Sequence, residues 1–232
     1  MKSAIIQSSF IPWKGYFDII HTVDTFIFLE DVQYTKRDWR NRNKLKSPNG
    51  EIWISVPVIV ASPEQKIFET KIDYSTEWVE KIKKTIHHNY AASKFYSQYK
   101  DQILSLFDKK FETISEFNIN ATKKISSILG IKTKFINSLE LATSGKKDDR
   151  LIEICKKIGA DSYLSGPSAK DYISNTKFES ARIELLYVDY LGYPEYSQLW
   201  GNFTHYVSII DLIFNCGPEA PYYIWGWRNG KE

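Results

Sequence analysis

The sequence predicts an α/β fold in which a mostly parallel sheet is flanked by helices. Residues 4–7 and 24–29 are apolar runs typical of strands, and a short helical segment lies between them. Strand, helix and strand in this order form a βαβ unit, which joins parallel strands by a right-handed crossover. Strand-like and helix-like segments alternate again towards the end of the chain. A doubly wound, Rossmann-like sheet accounts for both observations.

The other elements follow from periodicity and turn residues. The turn signal at residues 47–50 before a strand-like run at 52–58 predicts a hairpin-like excursion from the main sheet. In residues 76–130, apolar side chains recur at helical spacing, so we expect a helical insert in a single α/β domain over residues 1–232. The remaining predicted elements are strands at 132–136, 162–166 and 183–188 and helices at 148–158 and 207–214.

Composition narrows the class of protein. Of the 232 residues, 43% are hydrophobic and 25% charged, as in ordinary globular proteins, which excludes a disordered or fibrous chain. No apolar run is long enough for a membrane-spanning helix or a secretion signal, so we expect a cytoplasmic protein. A net charge of +3 is too small to indicate nucleic-acid binding. The two cysteines and four histidines lack the spacing of metal ligands, so no metal site is predicted.

Polar clusters follow three of the predicted strands, at residues 7–16, 31–44 and 165–172. Ligands of doubly wound folds bind where the strands end. We therefore expect these three loops to meet at one cleft.

In the first cluster, a turn leads into a helix, whose N-terminus attracts anions, and aromatic side chains offer flat surfaces for stacking. A tightly packed turn with no ligand is the alternative. The cluster lacks the glycine patterns of common phosphate-binding loops. Its predicted substrate-binding residues are Gln7, Trp13, Gly15 and Tyr16.

The second cluster combines arginine forks, which hold phosphate or carboxylate, with amides and aromatic rings. A solvated basic loop is the alternative. Asp31 and Asp38 are the candidate general bases, because they are carboxylates at loop positions near this cluster. The predicted substrate-binding residues are Gln33, Tyr34, Arg37, Trp39, Asn41, Arg42 and Asn43.

Two later clusters complete the predicted site. Small residues at a strand end let a ligand approach the backbone, and a plain strand-to-helix turn is the alternative. A polar stripe on the last helix is either a satisfied buried network or a wall of the site. The predicted substrate-binding residues are Ser165, Gly166, Tyr172, Tyr196, Gln198, Asp211 and Asn215.

Together these clusters resemble the WbqC-like protein family. The stretches that carry the resemblance lie at residues 7–18, 31–43, 163–172, 196–198 and 208–217, nearly the whole length of the chain. The Pro-Trp-x-Gly-Tyr-Phe-Asp and Asn-Arg-Asn elements are specific. Many relatives have His-Gln-Pro where this chain has Ile6-Gln7-Ser8. The resemblance implies a role in the biosynthesis of O-antigen, the surface polysaccharide of lipopolysaccharide.

The resemblance implies transfer of glycine or another acyl group to a sugar. Our first hypothesis is therefore an acyl or aminoacyl transferase, for example a glycyl transferase, acting on a nucleotide-linked amino sugar. Arg37 and Arg42 would hold the diphosphate, and Asp31 or Asp38 would accept a proton from the attacking amine. No cofactor is identified, the acyl donor is unknown, and a homo-oligomer is possible.

Two alternatives stay open. The start of the chain is loosely similar to class I nucleotidyltransferases (HUP fold) and pantothenate synthetase, which implies an ATP-dependent ligase or nucleotidyltransferase, although their His-x-Gly-His loop is absent. A non-catalytic protein that binds a sugar nucleotide or acts as a scaffold would use the same residue types.

Overall fold

The computed structural model describes residues 1–230, in which nine strands form three sheets. Only one sheet is large, and it forms the centre of the molecule. The strands are β1 (Lys2–Ile6), β2 (Thr25–Phe28), β3 (Arg42–Ser47), β4 (Gly50–Ser55), β5 (Val58–Ile59), β6 (Lys71–Ile72), β7 (Lys134–Asn137), β8 (Ser162–Ser165) and β9 (Glu184–Tyr187).

Seven α-helices accompany these strands in the described part of the chain. None of them is long and apolar enough to cross a membrane. The helices are α1 (Lys14–Thr22), α2 (Trp78–Tyr90), α3 (Tyr96–Leu104), α4 (Ile114–Ile128), α5 (Lys147–Ile158), α6 (Asn175–Ser180) and α7 (Ile209–Cys216).

The central sheet has the order β7-β2-β1-β8-β9, and all its strands are parallel. The predicted Rossmann-like α/β fold is therefore confirmed. The register pairs Ala4 with Phe26 and Phe26 with Phe135. From β1 the chain adds strands first on one side and later, with β8, on the other. The carboxyl ends of β1 and β8 thus flank the switch point, where doubly wound folds bind their ligands.

Successive side chains of each strand point to opposite faces of the central sheet and pack into two separate cores. Ala4 and Phe26 face a large core shared with α1, α7 and the helices α2 to α4, whereas Ile5 and Ile27 face a smaller core with α5 and α6. Because α2 to α4 share the core of the sheet, we propose that they belong to the same folding unit. The aromatic C-terminal segment also packs on this body, since Trp225 stacks on His21 with ring centroids 3.9 Å apart.

The long crossover from β2 to β7 carries most of the departures from a simple doubly wound fold. The predicted hairpin excursion is confirmed as the antiparallel β3–β4 pair. Its first strand begins inside the segment that the sequence predicts as a loop. The prediction missed this strand because basic residues lie between the buried residues Asn43 and Leu45 and hide their alternation. The predicted helical segment is confirmed as α2, α3 and α4, and Thr113 caps α4 in a reciprocal capping box with Glu116.

Candidate functional site

A cleft of about 480 Å³ lies at the switch point of the central sheet, within the size range of small-molecule sites. All three loops that the sequence predicts to converge contribute to it, and segments after β9 and before α7 complete its walls. The lining residues are Ile6, Ser9, Pro12, Trp13, Tyr16, Trp39, Arg40, Asn43, Ser168, Tyr190 and Tyr206.

The loop between β1 and α1 forms a rigid side of the cleft. Phe10 and Ile11 are fully buried, and Ile11 has a left-handed φ of 40°, which is a strained conformation for a β-branched residue. The Asn43 side-chain amide donates to the Ile11 carbonyl at 2.7 Å, and the Ser208 hydroxyl donates to the same oxygen at 2.8 Å. Asn43 therefore shapes the site by holding its loop.

An aromatic cluster forms a second side. The ring centroid of Trp13 lies 4.9 Å from that of Tyr190, 6.2 Å from that of Tyr193 and 6.2 Å from that of Tyr206. The Trp13 ring folds over Gly15, where any Cβ would collide with it. Gly15 thus acts by allowing this close approach, and the cleft gains flat apolar surfaces on which a ring can stack.

Arg40 brings a positive charge to the cleft. Its Nη1 donates to the Ser8 carbonyl at 2.8 Å, while its Nε lies 3.6 Å from Oδ2 of Asp38. This Nε is buried and makes no hydrogen bond to any described residue. The Asp38 carboxylate is fixed in turn, because its Oδ1 accepts a hydrogen bond from the Trp39 backbone at 2.7 Å. A guanidinium held in this way has donors left for an anionic ligand.

Glu30 lies close to Arg40 at the end of β2. It is fully buried and accepts hydrogen bonds from the Ser8 backbone at 2.8 Å and the Ser8 hydroxyl at 2.9 Å. Burial raises the pKa of Glu30, although these bonds and Arg40 oppose the effect. The sequence analysis places Glu30 in no functional cluster, yet it contributes to the charge balance beside the cleft.

Helix α1 begins beside the aromatic cluster. Trp13 occupies the capping position without a side-chain hydrogen bond, and the first turn has no acidic residue, so the positive end of the helix dipole is not neutralised locally. The buried Lys14 ammonium donates to the Pro194 carbonyl at 3.3 Å and lies 4.7 Å from the centroid of the Tyr193 ring. Burial lowers the pKa of Lys14 to about 8.

Four of the predicted binding residues line the cleft: Trp13, Tyr16, Trp39 and Asn43. Asp38 lies next to them through its contact with Arg40. Seven other lining residues are not predicted from the sequence. Arg40 could have been predicted from the sequence, since it lies in the same basic run as Arg37 and Arg42, which are predicted to bind the substrate. The missed residues are Ile6, Ser9, Pro12, Arg40, Ser168, Tyr190 and Tyr206.

Asp31 is not among the lining residues. Its carboxylate forms an ion pair with Arg150 and accepts a hydrogen bond from the Ser138 hydroxyl at 2.7 Å. Burial favours its neutral form, but the bonds from Arg150 and Ser138 outweigh burial and lower the pKa of Asp31. A carboxylate that accepts hydrogen bonds from a guanidinium and a hydroxyl is a weak proton acceptor, whereas Asp38 lies 3.6 Å from the Arg40 guanidinium, beyond hydrogen-bond distance.

Five residues of the second cluster also point elsewhere. Gln33 donates to the Pro63 carbonyl at 2.7 Å, and Asn41 donates to the Val56 carbonyl at 2.8 Å. The Arg42 guanidinium lies 4.2 Å from the centroid of the Trp53 ring, on the outer face of the hairpin. The remaining two are Tyr34, which is buried in the large core, and Arg37, which is exposed.

Four residues predicted from the first and third loops do not line the cleft: Gln7, Ser165, Gly166 and Tyr172. The Gln7 carbonyl accepts a hydrogen bond from the Tyr16 hydroxyl at 3.1 Å. Ser165 ends β8, and Gly166 precedes the short 3-10 turn Pro167–Asp171 that carries the lining residue Ser168. Tyr172 is exposed.

Tyr196, Gln198, Asp211 and Asn215 form the satisfied buried network that the sequence left as one of two alternatives. Asp211 is fully buried, and its carboxylate accepts bonds from Tyr196 at 2.9 Å and Gln198 at 2.8 Å. Tyr90 donates to the second oxygen at 3.0 Å, and Asn215 donates to the Asp211 carbonyl at 2.8 Å. Burial raises the pKa of Asp211. The network joins α2, α7 and the segment before α7, and none of its members lines the cleft.

His205 lies behind the aromatic cluster. Its ring centroid is 6.1 Å from that of Tyr193 and 4.5 Å from that of Phe203, and its Nδ1 is buried without a hydrogen-bond partner in the described chain. Burial, reinforced by the charge of Lys14, lowers the pKa of His205 from 6.5 to about 4. Between these two values the unfolded chain binds more protons than the folded one. The stabilising contribution of neutral His205 is therefore complete above pH 6.5 and is lost as the pH falls towards 4.

We expect His205→Phe to weaken the acid destabilisation of the protein, because phenylalanine cannot be protonated. The melting temperature of the wild type and the variant, measured from pH 7 to pH 4, tests this prediction. The exposed His88, changed to Phe, is the matched control and should retain the wild-type pH dependence. Equal pH dependence in the wild type and His205→Phe would contradict the prediction.

A parallel sheet of this order, with a ligand-sized cleft at its switch point, defines a Rossmann-like α/β protein with a candidate small-molecule site. This chain belongs to the WbqC-like protein family, whose sequence profile matches residues 7–223. It is 43% identical over 225 residues to the uncharacterized protein Rv1507c of Mycobacterium tuberculosis, covering 96% of this chain and 97% of that relative. No solved structure matches the chain.

Proposed function

We propose that the cleft binds a nucleotide-linked amino sugar and that the protein transfers an acyl or aminoacyl group, such as glycyl, to the sugar amine. The modified sugar would enter surface-polysaccharide biosynthesis, the role that membership of this family suggests. The observation that carries the proposal is the placement of Arg40 and the start of α1 in one cleft with five aromatic side chains.

The charge in the cleft supports binding of a diphosphate. Arg40 lines the cleft, and only one donor of its guanidinium is used by the Ser8 carbonyl, so others are left for a phosphate. The uncapped start of α1 also favours an anion. Arg42 stacks on Trp53 instead, so we assign to Arg40 the phosphate contact first predicted for Arg37 and Arg42.

The aromatic side chains support binding of a ring. Trp13, Tyr190 and Tyr206 lie on one side and Trp39 is part of the same lining, so a base or sugar can stack within the cleft. A phosphate site beside stacking surfaces fits a nucleotide-linked sugar better than it fits a simple anion.

Asp38 is the group that we propose as the general base. The amine nitrogen of the sugar forms an amide bond to the acyl carbon, and the bond from that carbon to the leaving group of the donor breaks. The proton from nitrogen passes to the Asp38 carboxylate, whose Oδ1 is already oriented by the Trp39 backbone. The donor must therefore carry an activated acyl group.

Thermal unfolding against a ligand panel tests the binding step. The panel contains UDP- and dTDP-linked amino sugars, coenzyme A thioesters and ATP. A nucleotide-linked amino sugar at 100 times its Kd should stabilise the protein by about 2.7 kcal/mol. Arg40→Ala should abolish this stabilisation, whereas the matched control Arg42→Ala should retain it.

Arg40 also holds the Ser8 carbonyl, so Arg40→Lys serves as the variant that keeps the charge but loses the planar fork. It should fold normally and bind the ligand more weakly. Stabilisation by ATP alone would overturn the proposal in favour of a ligase or nucleotidyltransferase. Binding of the sugar nucleotide without turnover of any acyl donor would indicate a non-catalytic binding protein.

A further inference from the structure

A second concavity lies beside the cleft, between strand β4 and helix α2. This β4–α2 groove has a volume of about 990 Å³, about twice that of the cleft. Its walls include Trp53 and Ser55 from β4 and Thr85 and His88 from α2. This groove lies outside the cleft and has no role in the proposed transfer reaction.

Two exposed tryptophans join the groove to the cleft. Trp39 lines the cleft and Trp53 lines the groove, and their ring centroids are 5.4 Å apart. The exposed fractions of these residues are 44% and 46%, although indole rings are usually buried. The Arg42 guanidinium stacks on the Trp53 ring, and a ligand extending from one concavity to the other would cover the apolar surface of the two indoles that still faces water.

The groove also contains a buried donor without an acceptor. Trp78 lines the groove and is only 4% exposed, and its indole Nε1–H has no hydrogen-bond partner within the described chain. Buried polar groups in folded proteins are nearly always paired, and an unpaired donor costs stability. A ligand hydroxyl that displaces the side chains around Nε1 would provide the missing acceptor.

The remaining lining groups indicate the chemistry of the ligand. The lining contains the hydroxyl groups of Ser55 and Thr85 and charged side chains of both signs, including Glu80 and Lys81. Such a surface favours neither a strongly charged nor a purely apolar molecule. Sugar rings present apolar C–H faces that stack on indoles and hydroxyl edges that donate and accept hydrogen bonds.

We propose that the β4–α2 groove binds an oligosaccharide, which reaches the cleft across Trp39 and Trp53. The volume of the groove, about twice that of the cleft, favours several sugar units over one. The saccharide chemistry follows from the groove itself, whereas the role of this ligand as a second substrate or product rests on the proposed function.

A printed array of defined bacterial oligosaccharides of two to six units, probed with the full-length protein, tests the proposal. We expect the amount of protein bound to each oligosaccharide to increase with the number of sugar units. The strongest binder is then titrated into ¹⁵N-labelled protein, whose seven tryptophans each give one indole N–H signal. The signals of Trp53 and Trp78, assigned with Trp53→Phe and Trp78→Phe, should shift on binding.

Trp53→Ala should weaken oligosaccharide binding at least tenfold, and this exposed site tolerates truncation without loss of folding. Trp78→Phe keeps an aromatic ring but removes the N–H, so it should also weaken binding. Tyr222→Ala, which truncates an exposed aromatic residue outside the groove, is the matched control and should bind normally.

The proposal would be overturned if the protein bound none of the oligosaccharides on the array, or if Trp53→Ala bound them as tightly as the wild type. Arg40→Ala distinguishes this failure from failure of the proposed function. It should lose nucleotide-sugar binding in the cleft and keep oligosaccharide binding in the groove.

Discussion

Asp211→Ala is expected to lower the free energy of unfolding by about 3–5 kcal/mol, because it removes the acceptor at the centre of a buried network. The hydroxyls of Tyr90 and Tyr196 and the amide of Gln198 would each lose a hydrogen bond to this carboxylate. A buried donor left without a partner costs roughly 1–3 kcal/mol. Tyr90 belongs to α2, whereas Tyr196 and Gln198 belong to the segment before α7, so the loss of these bonds should also loosen α2 against α7.

Urea unfolding of the wild type and the variant measures this loss. Asp101 lies on the exposed face of α3, and its replacement by Ala is the matched control, expected to change stability by no more than about 0.5 kcal/mol. Asp211→Asn keeps one acceptor oxygen, so its loss of unfolding free energy should lie between those of Asp211→Ala and the Asp101 control. A loss below about 1 kcal/mol for Asp211→Ala would show that water or rearranged side chains replace the carboxylate.

Asp38→Asn is expected to lower turnover by roughly 10²–10⁴-fold, the range typical of losing a well-placed general base. The amide keeps the shape of the side chain and an oxygen for the Trp39 backbone, so binding of the nucleotide-linked sugar should be nearly unchanged. Turnover is measured with the sugar nucleotide identified by thermal unfolding and the donor that supports product formation. Affinity is measured separately by titration calorimetry.

Asp31→Asn is the matched control for this prediction. Asp31 is paired with Arg150 and is absent from the cleft lining, so its change should reduce stability and leave turnover within a few-fold of wild type. Unchanged turnover in both variants would refute a carboxylate base in this loop. Loss of turnover in Asp31→Asn alone would transfer the role to Asp31.

Local sequence signals were sufficient for the elements of the sheet but not for their order. The apolar run around Ala4 and Ile5 and the break at Gly159 predict a strand and a helix end from a few neighbouring residues. Placing β8 beside β1, with β2 on the other side, depends on contacts between segments far apart in the chain. No periodic pattern encodes such contacts.

The residues of the candidate site also divide into those that local sequence predicts and those that depend on the folded structure. Trp13, Tyr16 and Trp39 could be chosen because aromatic residues in a loop after a strand are informative by type and position. The choice among Arg37, Arg40 and Arg42 could not be made, because it depends on which side chain points inwards. Hydrogen bonding to Ser8 directs Arg40 to the cleft, and stacking on Trp53 holds Arg42 on the outside.

The central position of β1 has a consequence for synthesis of the chain on the ribosome. Its first neighbour, β2, starts at Thr25, soon after β1 ends at Ile6, but β8 starts only at Ser162. At about 5–20 residues per second, one edge of this apolar strand would stay unpaired for roughly 8 to 30 seconds. An open strand edge can pair with other chains. A chaperone that shields β1 until β8 emerges would prevent such pairing.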